Sequence, residues 1–263
     1  RSSMIGRELQ GDYYRSDFIE SSQQETALEA KNLYCGEQLK DVSVTLKKGE
    51  IVGVGGLSSC GMHALGKAMF GALALESGNV LTGEGEVITT PHMAIEKKIG
   101  YVSKDRDVES LCLSASIKDN IAIAGMEQFA VGGHLITNAN EKKYVRKQIQ
   151  DLSIKCSDEN QLTGQLSGGN KQKVVFGKWI GCGSEILILD CPTRGVDIGV
   201  KQAMYQLMIQ LKKEGRAILL ISEELPELLG MSDRILIMKD GQISHEFMRS
   251  EKLTDADVIG YMI

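Results

Sequence analysis

Leu166-Ser167-Gly168-Gly169-Asn170-Lys171-Gln172-Lys173 is the stretch on which the fold turns. A serine followed by glycines is a helix start, with Ser167 in the capping position and bare N–H groups behind it. The residues from Gly168 to Trp179 continue as an amphipathic helix. Further on, Ile186 to Leu189 is an unbroken apolar run ending on Asp190. That is the pattern of a strand covered on both faces in a parallel sheet. Lys201 to Lys212 repeats Met204, Leu207, Met208 and Leu211 at helical spacing, and Ala217 to Ile221 is a second buried strand. Ile235 to Met238, Asp240-Gly241 and Ile243 to Phe247 predict a hairpin, because Asp-Gly suits a type I′ turn.

Toward the N-terminus, Val42, Val44 and Leu46 alternate with Ser43, Thr45 and Lys47, the signature of a half-buried strand. Glu50 to Gly56 is a short apolar strand, and Ala64 to Phe70 reads as a helix. Between them lies Gly56-Leu57-Ser58-Ser59-Cys60-Gly61-Met62-His63. Its frame is that of a phosphate-binding loop, G-x-x-x-x-G-K-[ST], with Met62 at the lysine and His63 at the hydroxyl position. On its own this frame reads first as a tight strand-to-helix turn. Val108 to Asn160 is helical and less apolar, with Ile117 to Ile123 and Lys142 to Leu152 as its best helices. Strands alternating with helices argue an α/β core. Residues up to about Gln24 are polar and without period, as expected of a connector entering from elsewhere.

The 263 residues are 42% hydrophobic and 25% charged, enough for a substantial core. Lys plus Arg is 30 against 35 Asp plus Glu, a net charge of -5 that argues against general nucleic-acid binding. The longest apolar runs, such as Ala217 to Ile221, are too short to span a bilayer, and no signal peptide is visible. The chain begins on Arg1, which predicts a piece of a longer polypeptide. Cys35, Cys60, Cys112, Cys156, Cys182 and Cys191 are scattered without a C-x-x-C pair, so zinc-ribbon, thioredoxin and disulfide-framework readings have no support.

Taken together, Leu166 to Lys173, the run Ile186-Leu187-Ile188-Leu189-Asp190 and Pro192-Thr193-Arg194-Gly195-Val196-Asp197 resemble the signature motif, Walker B strand and D-loop of ABC-type ATPases. Their order and spacing agree with that family over Thr26 to Ile263. The C-P-T-R-G-V-D-I-G stretch, the L-S-G-G-N-K-Q-K form and I-S-E-E-L-P-E-L-L-G-M-S-D-R-I-L-I-M narrow the resemblance to ribose- and galactoside-type sugar importers. Those ATPases carry two nucleotide-binding domains in one polypeptide, and Met4-Ile5-Gly6-Arg7-Glu8-Leu9 is similar to the junction between them. The resemblance implies a P-loop NTPase fold: a RecA-like sheet, an antiparallel β-subdomain and an inserted helical subdomain over about 107–178. Residues 1–24 would be the inter-domain connector and 25–263 the second, C-terminal nucleotide-binding domain. It further implies ATP and Mg2+ as cofactors and a tandem N-terminal nucleotide-binding domain. Transmembrane permease subunits and, indirectly, a periplasmic or lipid-anchored sugar-binding protein would be the other partners. Nucleic acid is not expected, and the location implied is the cytoplasmic face of the cell membrane.

In that family each ATP is held between the phosphate loop of one domain and the signature motif of the other. Here the loop half departs from the pattern. Met62 carries no charge, Cys191 follows Asp190 where a catalytic glutamate is usual, Glu223 stands at the switch-histidine position, and Lys104 lies near the Q-loop position. Asp190 is left as a weak Mg2+ ligand. Positioned charge carries phosphoryl transfer, so no useful hydrolysis is expected at this loop. Gly56 to Gly61 would offer at most weak backbone contacts to ATP. Ser167, Gly168, Gly169 and Asn170 keep the donor half intact, with Gly195 and Asp197 in the D-loop beside it. The resemblance thus implies a domain that completes its neighbour's ATP site. Two other readings stay open: a regulatory or scaffolding domain without nucleotide contact, and a soluble ABC protein acting on ribosomes or DNA.

His63, Asp190, Cys191 and Glu223 should converge if the alignment holds. A degenerate phosphate site explains them more simply than a Cys–His nucleophile or a metal centre. Tyr34 reads as a surface tyrosine rather than an adenine platform, and Trp179 as core. His92, His134 and His245 read as solvated or capping, and Glu141-Lys142-Lys143 as a solvated helix face. By resemblance alone, Lys104 to Arg106 would contact a membrane-spanning partner.

Overall fold

In the computed structural model, residues 13–17, 25–132 and 135–262 are described. In chain order the elements are β1 (Thr26–Cys35), β2 (Leu39–Lys47), β3 (Ile51–Gly56), α1 (Met62–Met69), β4 (Ser77–Thr82), α2 (Pro91–Glu96) and β5 (Ile99–Val102). There follow α3 (Ile117–Ala122), α4 (Met126–Phe129), α5 (Asn138–Asp151), α6 (Gly168–Gly181), β6 (Ile186–Asp190) and α7 (Ile198–Lys213). The chain closes with β7 (Ala217–Ile221), α8 (Leu225–Met231), β8 (Arg234–Lys239), β9 (Gln242–Met248) and α9 (Asp255–Ile259).

Six strands form the main sheet in the order β5-β6-β7-β3-β8-β9. The pairs from β5 through to β8 are parallel, and β9 returns antiparallel. Every residue of β6 and β7 is buried, as their continuous apolar runs require. A second, antiparallel sheet, β2-β1-β4, is the expected β-subdomain. In β2 the alternation holds, with Val42, Val44 and Leu46 in the core. Between β5 and β6 lie α3, α4 and α5, which with α6 make the inserted helical region. The Asp240-Gly241 turn has both φ angles positive, 50° and 82°, as a type I′ hairpin demands.

The differences from expectation are local. Helix α5 begins at Asn138, capped by the Thr137 side chain, four residues before the expected Lys142. Its first turn is polar and shows no apolar period. Helix α1 begins at Met62 because Gly61, at φ 100°, turns the chain into it directly. Strand β1 had no clear period in the sequence, since bulges interrupt its register with β2 and β4.

A buried polar knot ties the sheet to α7 and to the segment before β1. Asp233 Oδ2 accepts from Ile51 N at 2.8 Å, and Oδ1 meets Lys212 Nζ at 2.7 Å and Arg15 Nη1 at 2.9 Å. Arg15 also donates to Met231 O and Asp17, and Arg249 donates to Arg15 O and Asp17 O. Tyr13 and Tyr14 lie against Tyr205 of α7 at 5.4 and 5.2 Å between ring centroids. Residues 13–17 are therefore packed onto the domain. Removing the shared carboxylate would strand the buried Lys212 ammonium and leave Arg15 to Asp17 alone. Asp233→Ala is expected to cost about 3–5 kcal/mol in urea unfolding, and Asp233→Asn, which keeps the shape, distinctly less.

Candidate functional site

The loop between β3 and α1 is held by backbone geometry that only glycine satisfies. A Cβ on Gly61 would lie 2.0 Å from Gln38 O, and one on Gly56 2.3 Å from Met238 O. Cys60 is buried; its N–H donates to Leu57 O at 2.9 Å, closing the loop as a turn, and burial pushes its thiol pKa up. Ser58 and Ser59 are exposed at its tip. Met62, at the lysine position, is 0% exposed and belongs to the hydrophobic core. It offers an anion neither charge nor access.

His63 points the other way, to the end of β6. Its Nδ1 lies 2.7 Å from Asp190 Oδ1. The Tyr101 hydroxyl donates to Asp190 Oδ2 at 3.1 Å, and burial beside that carboxylate raises the phenol strongly. Lys104 Nζ donates to Glu223 Oε1 at 2.7 Å and to His63 Nε2 at 3.1 Å. With Nε2 accepting, the network assigns the ring proton to Nδ1, facing Asp190. Lys104 holds the Glu223 carboxyl below its ordinary value. Cys191 is buried in a left-handed conformation, φ 48°, with its N–H on Ile221 O at 2.9 Å. Burial, then Asp190 and Glu223, push its thiol to about 12, so it stays protonated and cannot act as a general base. The expected convergence of His63, Asp190, Cys191 and Glu223 holds, and Lys104 completes it.

This arrangement does not fit Mg2+. That ion wants near-octahedral oxygen ligands. The groups gathered within 4.8 Å of one another are an imidazole, a thiol and one carboxylate, that of Asp190. Both oxygens of Asp190 already have partners, and an ammonium stands beside the ring.

The signature stretch forms a separate cluster, at the start of α6 beside the D-loop. Ser167 is the N-cap residue of α6 as expected, but its hydroxyl makes no capping bond; its Oγ instead accepts from Asn170 Nδ2 at 3.0 Å. Ser167 is exposed, and Asn170 Oδ1 accepts from Lys155 N. Gly169 is required by close packing, and Gly168 leaves room for the Arg106 guanidinium. A Cβ on Gly168 would meet Arg106 Nη2 at 2.9 Å, and one on Gly169 would meet Val200 Cγ2 at 2.7 Å. Arg106 joins this helix to the D-loop, donating to Arg194 O at 2.7 Å and Gly195 O at 3.5 Å beside Gln172. Gly195 has φ 66°, and Asp197 caps α7 by accepting from Gly199 N and Val200 N. Thr193 donates to the buried Glu227 at 2.6 Å, and burial raises that carboxyl.

Lys104 and Arg106 both engage groups of the domain itself. Tyr101 and Glu227, and the D-loop contacts of Arg106, carried no sequence signal, because their partners are far away in the chain. Tyr34 and His92 are exposed as expected, and Trp179 is core. His245, read as solvated, stacks on Tyr261 at 4.1 Å, and Glu141 is paired with Lys118 at 2.9 Å. His134 lies outside the described residues.

The profile of the ABC transporter family matches residues 39–194. This chain belongs to the ABC transporter family. It is 41% identical over 249 residues to the ribose import ATP-binding protein RbsA of Bacillus subtilis (strain 168), covering 94% of this chain and 50% of that protein. It is 40% identical over 257 residues to the protein of the same name from Lactococcus lactis subsp. cremoris (strain SK11), covering 97% and 51%. The chain therefore spans about half the length of the curated relatives it matches. Among solved structures, a nucleotide-free ATP-binding cassette aligns with a TM-score of 0.72 at 22% identity, over 90% of this chain and 99% of that one. A dimeric cassette bound to ADP and Pi aligns with a TM-score of 0.73 at 18% identity, over 85% and 99%. The fold is that of an ATP-binding cassette. Among the described residues no helix is long and apolar enough to cross a membrane.

Two outcomes follow from the geometry of the ABC cassette. Gly169→Ala gains at most about 1 kcal/mol of helix propensity, while overpacking Val200 costs about 1–3 kcal/mol. Net destabilisation is expected in chemical denaturation. The Glu223 pKa is lowered in the folded state, so its ion pair contributes fully above the unfolded value of 4.5 and is lost as pH falls through the lowered one. The side chain is 37% exposed, so the effect should stay under about 1 kcal/mol. Glu223→Gln should remove that part of the stability–pH profile below pH 4.5.

Proposed function

We propose that this cassette is the second nucleotide-binding domain of a carbohydrate-import ATPase, lending its signature motif to ATP held by a tandem N-terminal domain. The asymmetry of the two half-sites carries this reading. At its own loop Met62 is buried, Cys191 is protonated and His63 occupies Asp190. At the start of α6, Ser167 is exposed beside the glycines that open the helix. There the Ser167 hydroxyl and the N–H groups at the helix start would receive a terminal phosphate presented from across an interface. Arg106 holds that donor set in register with the D-loop. Mg2+-ATP would supply the phosphoryl group at the partner's loop, and no step runs through this domain's own pocket.

The relatives named as ribose import proteins, each about twice this length, support a sugar-import role with two cassettes in one polypeptide. Transmembrane permease subunits, a sugar-binding protein acting through them and a place at the cytoplasmic face of the membrane follow from the same reading. Ser167→Arg in the complete transporter should lower ATPase and uptake at least about a hundredfold by filling the donor face. An unchanged rate would remove the donor role. The isolated chain should show no turnover above background.

A further inference from the structure

Asp190, His63, Lys104 and Glu223 come from separate places in the chain: the end of β6, the start of α1, the segment after β5 and the loop after β7. They nevertheless form one continuous chain of polar contacts. His63 bridges Asp190 at 2.7 Å, Lys104 bridges His63 at 3.1 Å and Glu223 at 2.7 Å, and Glu223 returns to within 3.6 Å of the His63 ring. We propose that this chain is a built-in substitute for a metal-bound nucleotide: Lys104 is its cation, and the pocket excludes Mg2+-nucleoside triphosphate. The inference rests on the reading above, in which this domain's own loop is not the hydrolytic site, and deepens it.

In a phosphate-binding loop the cation lies between the hydroxyl at the position of His63 and the phosphates. Here a metal entering that place must part His63 from Asp190 and then sit next to the Lys104 ammonium, a like charge at short range. Metal-free ATP fares no better. Asp190 and Glu223 outweigh the single lysine, Met62 supplies no compensating charge, and a tetra-anion would face a net negative wall. What a ligand would otherwise join, the four side chains join directly. The lysine also keeps Glu223 ionised, which sustains the last link.

The test uses this chain with ATP, with Mg2+ or with EDTA, read by thermal unfolding and by titration with a fluorescent ATP analogue. The wild type should shift its Tm by less than about 1 °C with millimolar nucleotide in either form, since a ligand that does not bind cannot stabilise. The triple substitution M62K/H63T/K104Q should gain binding that requires Mg2+ and a Tm rise of about 3 °C or more. Lys104→Met, independent of that gain, should speed hydrogen exchange of the 193–194 and 222–224 amides about tenfold or more, because the side-chain bridge from His63 to Glu223 is lost and only the backbone pairing of β6 with β7 remains. A Mg2+-dependent Tm rise above about 2 °C in the wild type, or unaltered exchange in Lys104→Met, would overturn the inference. Uptake of Mg2+-ATP by the wild type without turnover would defeat it and leave the donor reading standing. Turnover by the wild type would defeat both.

Discussion

Parallel strands that end together set everything else. Asp190 of β6 pairs with Ile221 of β7, Val54 of β3 pairs with the same Ile221, and Val102 of β5 pairs with Leu189. The glycine loop, the Lys104 segment, Cys191 and Glu223 therefore leave the sheet at one carboxyl edge, where α/β sheets present their ligand crevice. No side chain had to be brought far to build the cluster. The register of buried, fully apolar strands did it, and a one-residue slip would bury charge in the core.

That edge also shows how the domain handles charge. Two carboxylates, a lysine and an imidazole at one edge of a sheet would repel or strand one another unless paired in order, and here they are. A few residues on, the same segment after β5 turns Arg106 to the opposite task, taking carbonyls of the D-loop and packing over the first glycine of α6. One short stretch therefore braces both clusters. In the proposed division of labour, the donor groups at the start of α6 are tied to the D-loop, while the pocket at the glycine loop is filled from within.

Much of this was legible in the sequence, and for physical reasons. Ile186 to Asp190 and Ala217 to Ile221 announce themselves because strands covered on both sides have no polar alternation, and Asp240-Gly241 because few other pairs take two positive φ angles. The strand β1 did not, since its bulges break the period. The convergence of His63 with Asp190 followed from motif order. The direction of Lys104 did not: motif order puts it only near the Q-loop position, and the fold reveals that its lysine answers a glutamate 119 positions away. Met62 was legible as an uncharged substitute, but its complete burial was not.

The strap at residues 13–17 has a consequence for how far this domain extends. Arg15 and Arg249 together saturate carbonyls around the end of α8, the ring of Tyr14 lies so close over Gly230 that a methyl there would sit 2.4 Å from it, and Tyr205 is roofed by both tyrosines. A chain trimmed back to Glu25 would uncover a greasy, carbonyl-lined trough beside a half-neutralised aspartate. Packing of the cassette thus reaches upstream of its first strand, and the tyrosines and Arg15 there are part of what closes the end of α8.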